Sequence, residues 1–304
     1  MFENGVIPTL ITTDRLLLDP LMESDGEFVL ELVNTDGWLK FIGNRNVTSE
    51  ADATAYIQKI IDNSDINYWV IRLKGNNVPI GIITFIKRAY LNHHDIGFAL
   101  LPAYENRGYA YEATEAALYN LIHSARHHTH ISAITNPDNS GSIKLLKKLG
   151  FEFHKMIKVE KENLQVYEAC VDKLCISEIT HTFFSAFTNK RSEQPNVAVL
   201  KDICIPEIII VNKNRSTTDV FNLISFIEMK TRILTDGTLL AFEEKEIFEE
   251  TKIIKNIATR FSEYEKKGIL YRQRFHLKGY KIFQFVKVKQ SWKICSILWM
   301  DNEN

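Results

Sequence analysis

The sequence predicts two consecutive domains, a mixed α/β domain over residues 1–174 and an α+β domain built on an antiparallel sheet over residues 175–304. Three observations lead there. A chain of 304 residues exceeds what one hydrophobic core ordinarily fills, so two cores of roughly 130 to 170 residues each are expected. In the first half strand-like and helix-like patterns alternate around one strand–loop–helix unit, whereas in the second half helical patterns come first and long strands follow. Near Cys175 the texture changes without a Gly or Pro linker, as Ile176, Ile179, Phe183 and Phe187 open a new amphipathic helix.

Taken in order, residues 13–19 (TDRLLLD) read as a strand and residues 24–33 as a helix. Thr48 and Ser49 offer a hydroxyl cap to a helix over 50–61, whose apolar Ala53, Ile57, Ile60 and Ile61 recur at helical spacing. Strands over 68–73 and 79–86 flank the turn Gly75-Asn76-Asn77, and the apolar strand 96–101 ends at Pro102. A Gly-containing loop leads into a helix over 111–124. A strand over 130–135, a short helix over 142–149 closed by Gly150, and a hairpin of 153–159 with 165–171 complete the domain. In the second half the strands are expected at 206–211, 238–248, 253–264, 279–289 and 292–299, with the tight turn Asp236-Gly237 after a helix ending at Leu234. The alternation in residues 281–287 (KIFQFVK) is that of a half-buried strand.

Composition narrows the function classes. Hydrophobic residues at 45% and charged residues at 25% match a chain that folds throughout, and a net charge of -1 offers no field for nucleic acid or anionic lipid. Cys170, Cys175, Cys204 and Cys295 form no CxxC pair, which fits a reducing compartment. The first ten residues lack a basic segment followed by an apolar run, and no stretch approaches the roughly 18 apolar residues that span a bilayer. A cytoplasmic location with neither a membrane nor a nucleic-acid partner is expected.

The chemically informative segments are IGFALLP (96–102), YENRGYA (104–110) and NPDNSGSIKLLKKLGF (136–151). A strand running into a tight loop and a helix start leaves several backbone N–H groups without intrahelical partners, and such a concavity suits a pyrophosphate. Gly108 and the small Ala110 let phosphates approach the backbone. A Gly before a helix is as often only a turn; the NPDNSGS segment some thirty residues downstream is what makes the pattern specific.

Together these segments resemble the GNAT superfamily of N-acetyltransferases, particularly the branch that acetylates ribosomal-protein N termini. The likeness covers about residues 8–173 and includes TDRLLL, IGFALLPAY, RGYAYEA and NxxSxxLLKKLGF in the family's order. It implies the acyl-CoA N-acyltransferase fold with a mixed sheet and acetyl-CoA as cofactor. Arg107, Gly108, Tyr109 and Ala110 match the loop whose amides hold the pyrophosphate, and Phe98 and Leu100 match the splayed strand that bonds the pantetheine arm. Asn139 matches the residue that reaches that arm, and Ser142 the hydroxyl that can protonate the departing thiolate. Acceptor recognition is expected from Trp38, Phe41 and Arg45, and from residues near 162–167; Trp38 and Phe41 fit a core position equally well.

The attacking group is a primary amine, of a protein N terminus or a small molecule. A peptide α-amino group has a pKa of about 8, so one carboxylate or a water chain suffices to remove its proton. Asp95 is the candidate base, its bland alternative being a solvated strand end. Direct attack without an acyl-enzyme is expected, since Cys170 falls on the final hairpin. The departures are Glu105, where relatives carry Gln or Arg, and Asn106, where Gly is common. They favour the competing reading, a non-catalytic sensor of acyl-CoA. His123, His127, His128 and His130 cluster near a helix end, but without a carboxylate or thiol partner they read as an exposed terminus, and no metal is expected.

The second half is similar to the nuclear transport factor 2-like fold in its SnoaL-like form, through FEEKE (242–246), FQFV (283–286) and WKICSILW (292–299). The resemblance implies a cone-shaped α+β domain whose helices close over a curved antiparallel sheet. Tyr264, Arg260 and Gln284 are the polar residues expected in its pocket, and no acid–base pair is assignable. Ligand binding, or joining of two protomers into a homodimer through the outer sheet face, is the expected role.

Overall fold

A computed structural model describes residues 9–124, 128–160, 162–190, 194–214 and 216–302. The chain forms two compact units, Met1–Val171 and Asp172–Asn304. In the first unit β1 (Ile11–Thr12) and β2 (Leu16–Pro20) are separated by a tight turn in which the Thr13 hydroxyl accepts from the Leu16 amide at 2.9 Å. That bond is why the strand starts at Leu16 rather than at Thr13, because a Thr side chain bonded to a nearby amide competes with the ladder. Next come α1 (Gly26–Val33), α2 (Asp36–Phe41) and α3 (Glu50–Ile61). The short α2, unsignalled by periodicity, starts where the Thr35 side chain accepts from the Trp38 amide. α3 occupies its expected span, with the Ser49 hydroxyl accepting from the Asp52 amide at 3.2 Å.

β3 (Ile66–Leu73), β4 (Pro79–Ile86) and β5 (Asp95–Leu100) continue the sheet. α4 (Tyr109–Ser124), β6 (His130–Thr135), α5 (Ser140–Lys148), β7 (Glu152–Val159) and β8 (Glu162–Cys170) complete it. The eight strands lie in the order β1-β2-β3-β4-β5-β6-β8-β7, antiparallel except for the β5–β6 pair, so the sheet is mixed as expected. Strands β3 and β4 are apolar on both faces because both are covered. Val70 and Ile82 pack into a cluster with Phe28, Leu32, Ala53 and Ile57 of α1 and α3. Across the sheet α4 packs against β1, β2, β4 and β5, burying Ala113, Ala117 and Leu121.

The second unit opens with α6 (Val171–Ser185), followed by α7 (Leu200–Ile203), β9 (Cys204–Lys213), β10 (Thr218–Phe221) and α8 (Leu223–Thr235). Four long strands follow, β11 (Leu239–Ile254), β12 (Ile257–Leu270), β13 (Gln273–Val288) and β14 (Ser291–Asp301). The order is β10-β9-β14-β13-β12-β11. One expectation is corrected here, because β9 runs parallel to β14 while every other pair is antiparallel. β9 turns back into β10 as a hairpin, but α8 and three long strands separate it in the chain from its other neighbour β14, so no tight turn forces that pair antiparallel. Bulges between Leu240 and Glu243, between Glu246 and Phe248, and at Gln284/Phe285 bend the strands.

The three polar residues expected in the second unit's pocket take other places. Arg260 is buried in a network, with Nη2 2.5 Å from Glu246, Nη1 3.2 Å from Glu249 and Nη1 donating to Ser177 at 3.1 Å. Tyr264 is fully buried and donates to Asp301 at 2.6 Å, and Gln284 alternates onto the exposed face of β13.

Candidate active site

The site begins where two neighbouring parallel strands part. β5 and β6 are each six residues long, yet they register at one pair only, Asp95 with Ser132, the Ser132 amide donating to the His94 carbonyl at 2.8 Å. Were the ladder to continue, the Ile134 amide would donate to the Ile96 carbonyl. It donates instead to Asp95 Oδ1 at 3.0 Å. The aspartate thus ends the ladder and opens the wedge between the strands. Its other oxygen sits 2.7 Å from Arg88 Nε. Burial pushes the Asp95 carboxyl up to about 6, against the pull of Arg88 and the Ile134 amide, so it is ionised at neutral pH. Asp95 is neither a solvated strand end nor a carboxylate with a free oxygen.

Beyond β5 the chain turns through Pro102, and Leu101 ties back to Ile80 by its amide at 2.8 Å. Asn106 takes a left-handed φ of 57° and Gly108 one of 81°. Asn tolerates that conformation better than other side chains, which explains how it stands where a Gly is common. α4 starts at Tyr109, two residues earlier than its periodicity indicates, and its first intrahelical donor is the Glu112 amide, to Gly108. Among the described residues none of the amides of residues 106–111 donates to a protein acceptor. Glu105, Asn106, Arg107 and Gly108 are exposed and Tyr109, Ala110 and Tyr111 half-buried, so this run of donors at the positive end of a sixteen-residue helix is not enclosed in the core.

What holds the loop was not signalled by sequence. Arg15 donates from Nη1 to the Arg107 carbonyl at 3.2 Å and from Nε to Glu112 at 2.6 Å, and its guanidinium lies 4.6 Å from the Tyr109 ring centroid. Thr13 Oγ1 and the Arg15 amide also donate to Glu112. Although its burial opposes ionisation, these bonds keep the Glu112 carboxyl below the ordinary range. The clue lay in TDR and in the Glu of RGYAYEA, ninety-odd residues apart and linked only by the fold.

On the far side of the wedge Asn139 is the N-cap of α5, its Oδ1 accepting from the Ser142 amide at 3.1 Å. Ser142 is half-buried in the first turn. The Lys148 ammonium stands 3.6 Å from the Tyr111 ring centroid, joining the end of α5 to the start of α4. Phe98 and Leu100 are half-buried on β5, opposite Ile83 and Gly81 of β4. Of the expected acceptor contacts, Trp38 is corrected, since it is buried in the core cluster with Leu32 and Ile57. The short helix α2 turns it inward, which is the core alternative that the sequence left open for it. Phe41 is half-buried beneath the Lys40 ammonium, and Arg45 is exposed. His127 lies outside the described residues. Among the described residues no group of three or more His, Cys, Asp or Glu side chains is placed to hold a metal, and no helix is long and apolar enough to cross a membrane.

Residues 15–152 match the family model described as an acetyltransferase (GNAT) domain. Bacillus subtilis (strain 168) has two relatives, named uncharacterized N-acetyltransferase YnaD and uncharacterized N-acetyltransferase YoaA. The first is 33% identical over 140 residues, spanning 46% of this chain and 81% of the relative. The second is 28% identical over 149 residues, spanning 47% and 82%. A GCN5-related N-acetyltransferase from Brucella melitensis, 12% identical with a TM-score of 0.50 over 63% of this chain and 92% of its own, shares the fold. With the first relative matched across four-fifths of its length and the family model laid over the splayed strands and the open loop, the chain belongs to the GNAT family of N-acetyltransferases.

Proposed function

We propose that the first unit moves an acetyl group from acetyl-CoA directly to a primary amine, a protein N terminus or a small-molecule amine. The observation that carries this reading is the conjunction of an opened β5–β6 ladder with the uncommitted amides of residues 106–111. The loop fits a pyrophosphate, because the left-handed Gly108 and Asn106 turn main-chain donors outward and the helix dipole favours anions. When bound, acetyl-CoA supplies an activated acetyl thioester. The amides of Arg107, Gly108, Tyr109 and Ala110 hold its phosphates, the unpaired edge of Phe98 and Leu100 takes the arm, and Asn139 contacts it. Ser142 Oγ holds the proton for the leaving sulfur. Both Asp95 oxygens are engaged, so the amine's proton leaves to water while Asp95 holds the strands apart. Phe41 and Arg45 remain the acceptor contacts in this reading. Cys170, at the end of β8 opposite His130, takes no part.

The second unit we infer to be a nuclear transport factor 2-like, SnoaL-like module bounded as 175–304, in a chain working in the cytoplasm. Its bulged sheet and the cavity beneath α6 and α8 support ligand binding, and exposed Ile282, Leu298 and Met300 support pairing of two copies through the sheet.

The competing reading, a sensor that binds acyl-CoA without chemistry, draws on the exposed Glu105 carboxylate beside the loop. Thiol release from acetyl-CoA, followed with a panel of small amines and of peptides bearing free N termini, separates the two. Release dependent on one class of amine is expected, whereas binding of acetyl-CoA without release for any amine supports the sensor.

A further inference from the structure

The second unit holds a cavity of about 640 Å³, within the range typical of small-molecule sites. Its wall is aromatic, formed by Phe183, Phe187, Phe226, Phe242, Phe275 and Trp299. Its polar lining is unbalanced. Lys230, Lys266, Lys281 and Arg274 face Glu244 and Asp301, and both carboxylates are already paired. Lys281 Nζ lies 2.5 Å from Glu244, and Lys266 Nζ lies 2.7 Å from Asp301, which also accepts from Tyr264. Arg274 is exposed.

That leaves Lys230 of α8. Among the described residues no carboxylate or hydrogen-bond acceptor reaches its ammonium, which stands 5.4 Å and 5.5 Å from the ring centroids of Phe187 and Phe226. Burial pulls its pKa below the ordinary lysine value, with Glu244 and Asp301 acting in the opposite sense and Lys266 reinforcing the fall. Lys230 is half-buried, so an ammonium held among aromatic faces with no counter-ion keeps only part of its solvation, and an arriving anion offsets what is lost.

We propose that this cavity binds a small organic monoanion, an apolar aliphatic or aromatic body carrying one carboxylate, with the carboxylate on Lys230 and the body against the Phe and Trp wall. A cationic ligand has no such place, because each carboxylate of the lining is committed to a lysine. The inference rests on the ligand-binding reading of the second unit and not on acetyl transfer.

The test is calorimetry on the full chain with octanoate, 3-phenylpropionate, the neutral octanamide and octylamine. The acids are expected to bind at least about tenfold more tightly than octanamide, and octylamine more weakly still. Lys230→Met removes the acids' advantage but leaves octanamide unchanged, which also shows that the variant folds; Lys230→Arg retains the preference. Equal binding of acid and amide, or undiminished acid affinity in Lys230→Met, overturns the anion assignment while ligand binding stands. If none of the four probes binds, both are overturned.

Discussion

Asp95 carries a geometric task that its chemistry makes costly. Its folded pKa of about 6 lies above the ordinary 3.8, so between these values the folded state binds a proton that the unfolded state does not. By linkage, its contribution to stability is present below about pH 4 and is lost as pH rises through about 6; falling pH therefore does not unfold the chain through this group. What falling pH does remove is the ion pair with Arg88 and, with it, the firm hold on Ile134. Beyond the fall that protonation of the acceptor amine causes below about pH 8, a further decline in kcat/KM below about pH 6, with retained far-UV and near-UV circular dichroism, is the expected wild-type profile. In Asp95→Asn that further decline disappears, only the fall due to amine protonation remains, and activity near neutral pH is lower by about tenfold or more, since Arg88 loses its counter-charge. Persistence in the variant of the further decline below about pH 6 contradicts the wedge. Glu112 acts at the same scale on the loop. Glu112→Gln keeps the shape but weakens the grip of Arg15, so KM for acetyl-CoA is expected to rise several-fold, about 3- to 10-fold, with kcat little changed.

Among the elements, those announced by their ends were legible and those decided at a distance were not. The helix 50–61 could be read from Ser49 and its apolar spacing, and its span is that of α3. The start of α4 was misplaced by two residues because Tyr109 and Ala110 look like loop in sequence, and only the left-handed Gly108 before them defines the helix end. The direction of β9 depends on the route taken through β10 and α8, which no local pattern encodes. Two caps separate stability from function. Ser49→Ala removes a bond to the Asp52 amide and is expected to cost about 0.5–2 kcal/mol by denaturant titration with acetyl-CoA affinity unchanged. Asn139→Ala costs a similar amount and also lowers that affinity, because α5 begins beside the opened strands.

At the scale of the whole molecule, the site of the first unit draws its parts from distant stretches, Arg15 and Glu112 on one side, Asn139 and Ser142 on the other. The loop and helix segments were readable because each bears its residues within one short motif. The Arg15 clamp and the imbalance around Lys230 were not, since each depends on neighbours brought together by packing alone. The central claim is that main-chain donors around a left-handed glycine hold acetyl-CoA. Calorimetric titration of acetyl-CoA into wild type, Gly108→Val and Gly37→Ala tests it most directly. A Cβ at Gly37 meets open space, whereas Gly108 has a φ that β-branched residues rarely adopt. The account predicts binding in wild type and Gly37→Ala and a loss of about a hundredfold or more in Gly108→Val. Equal affinity in a folded Gly108→Val protein would contradict it.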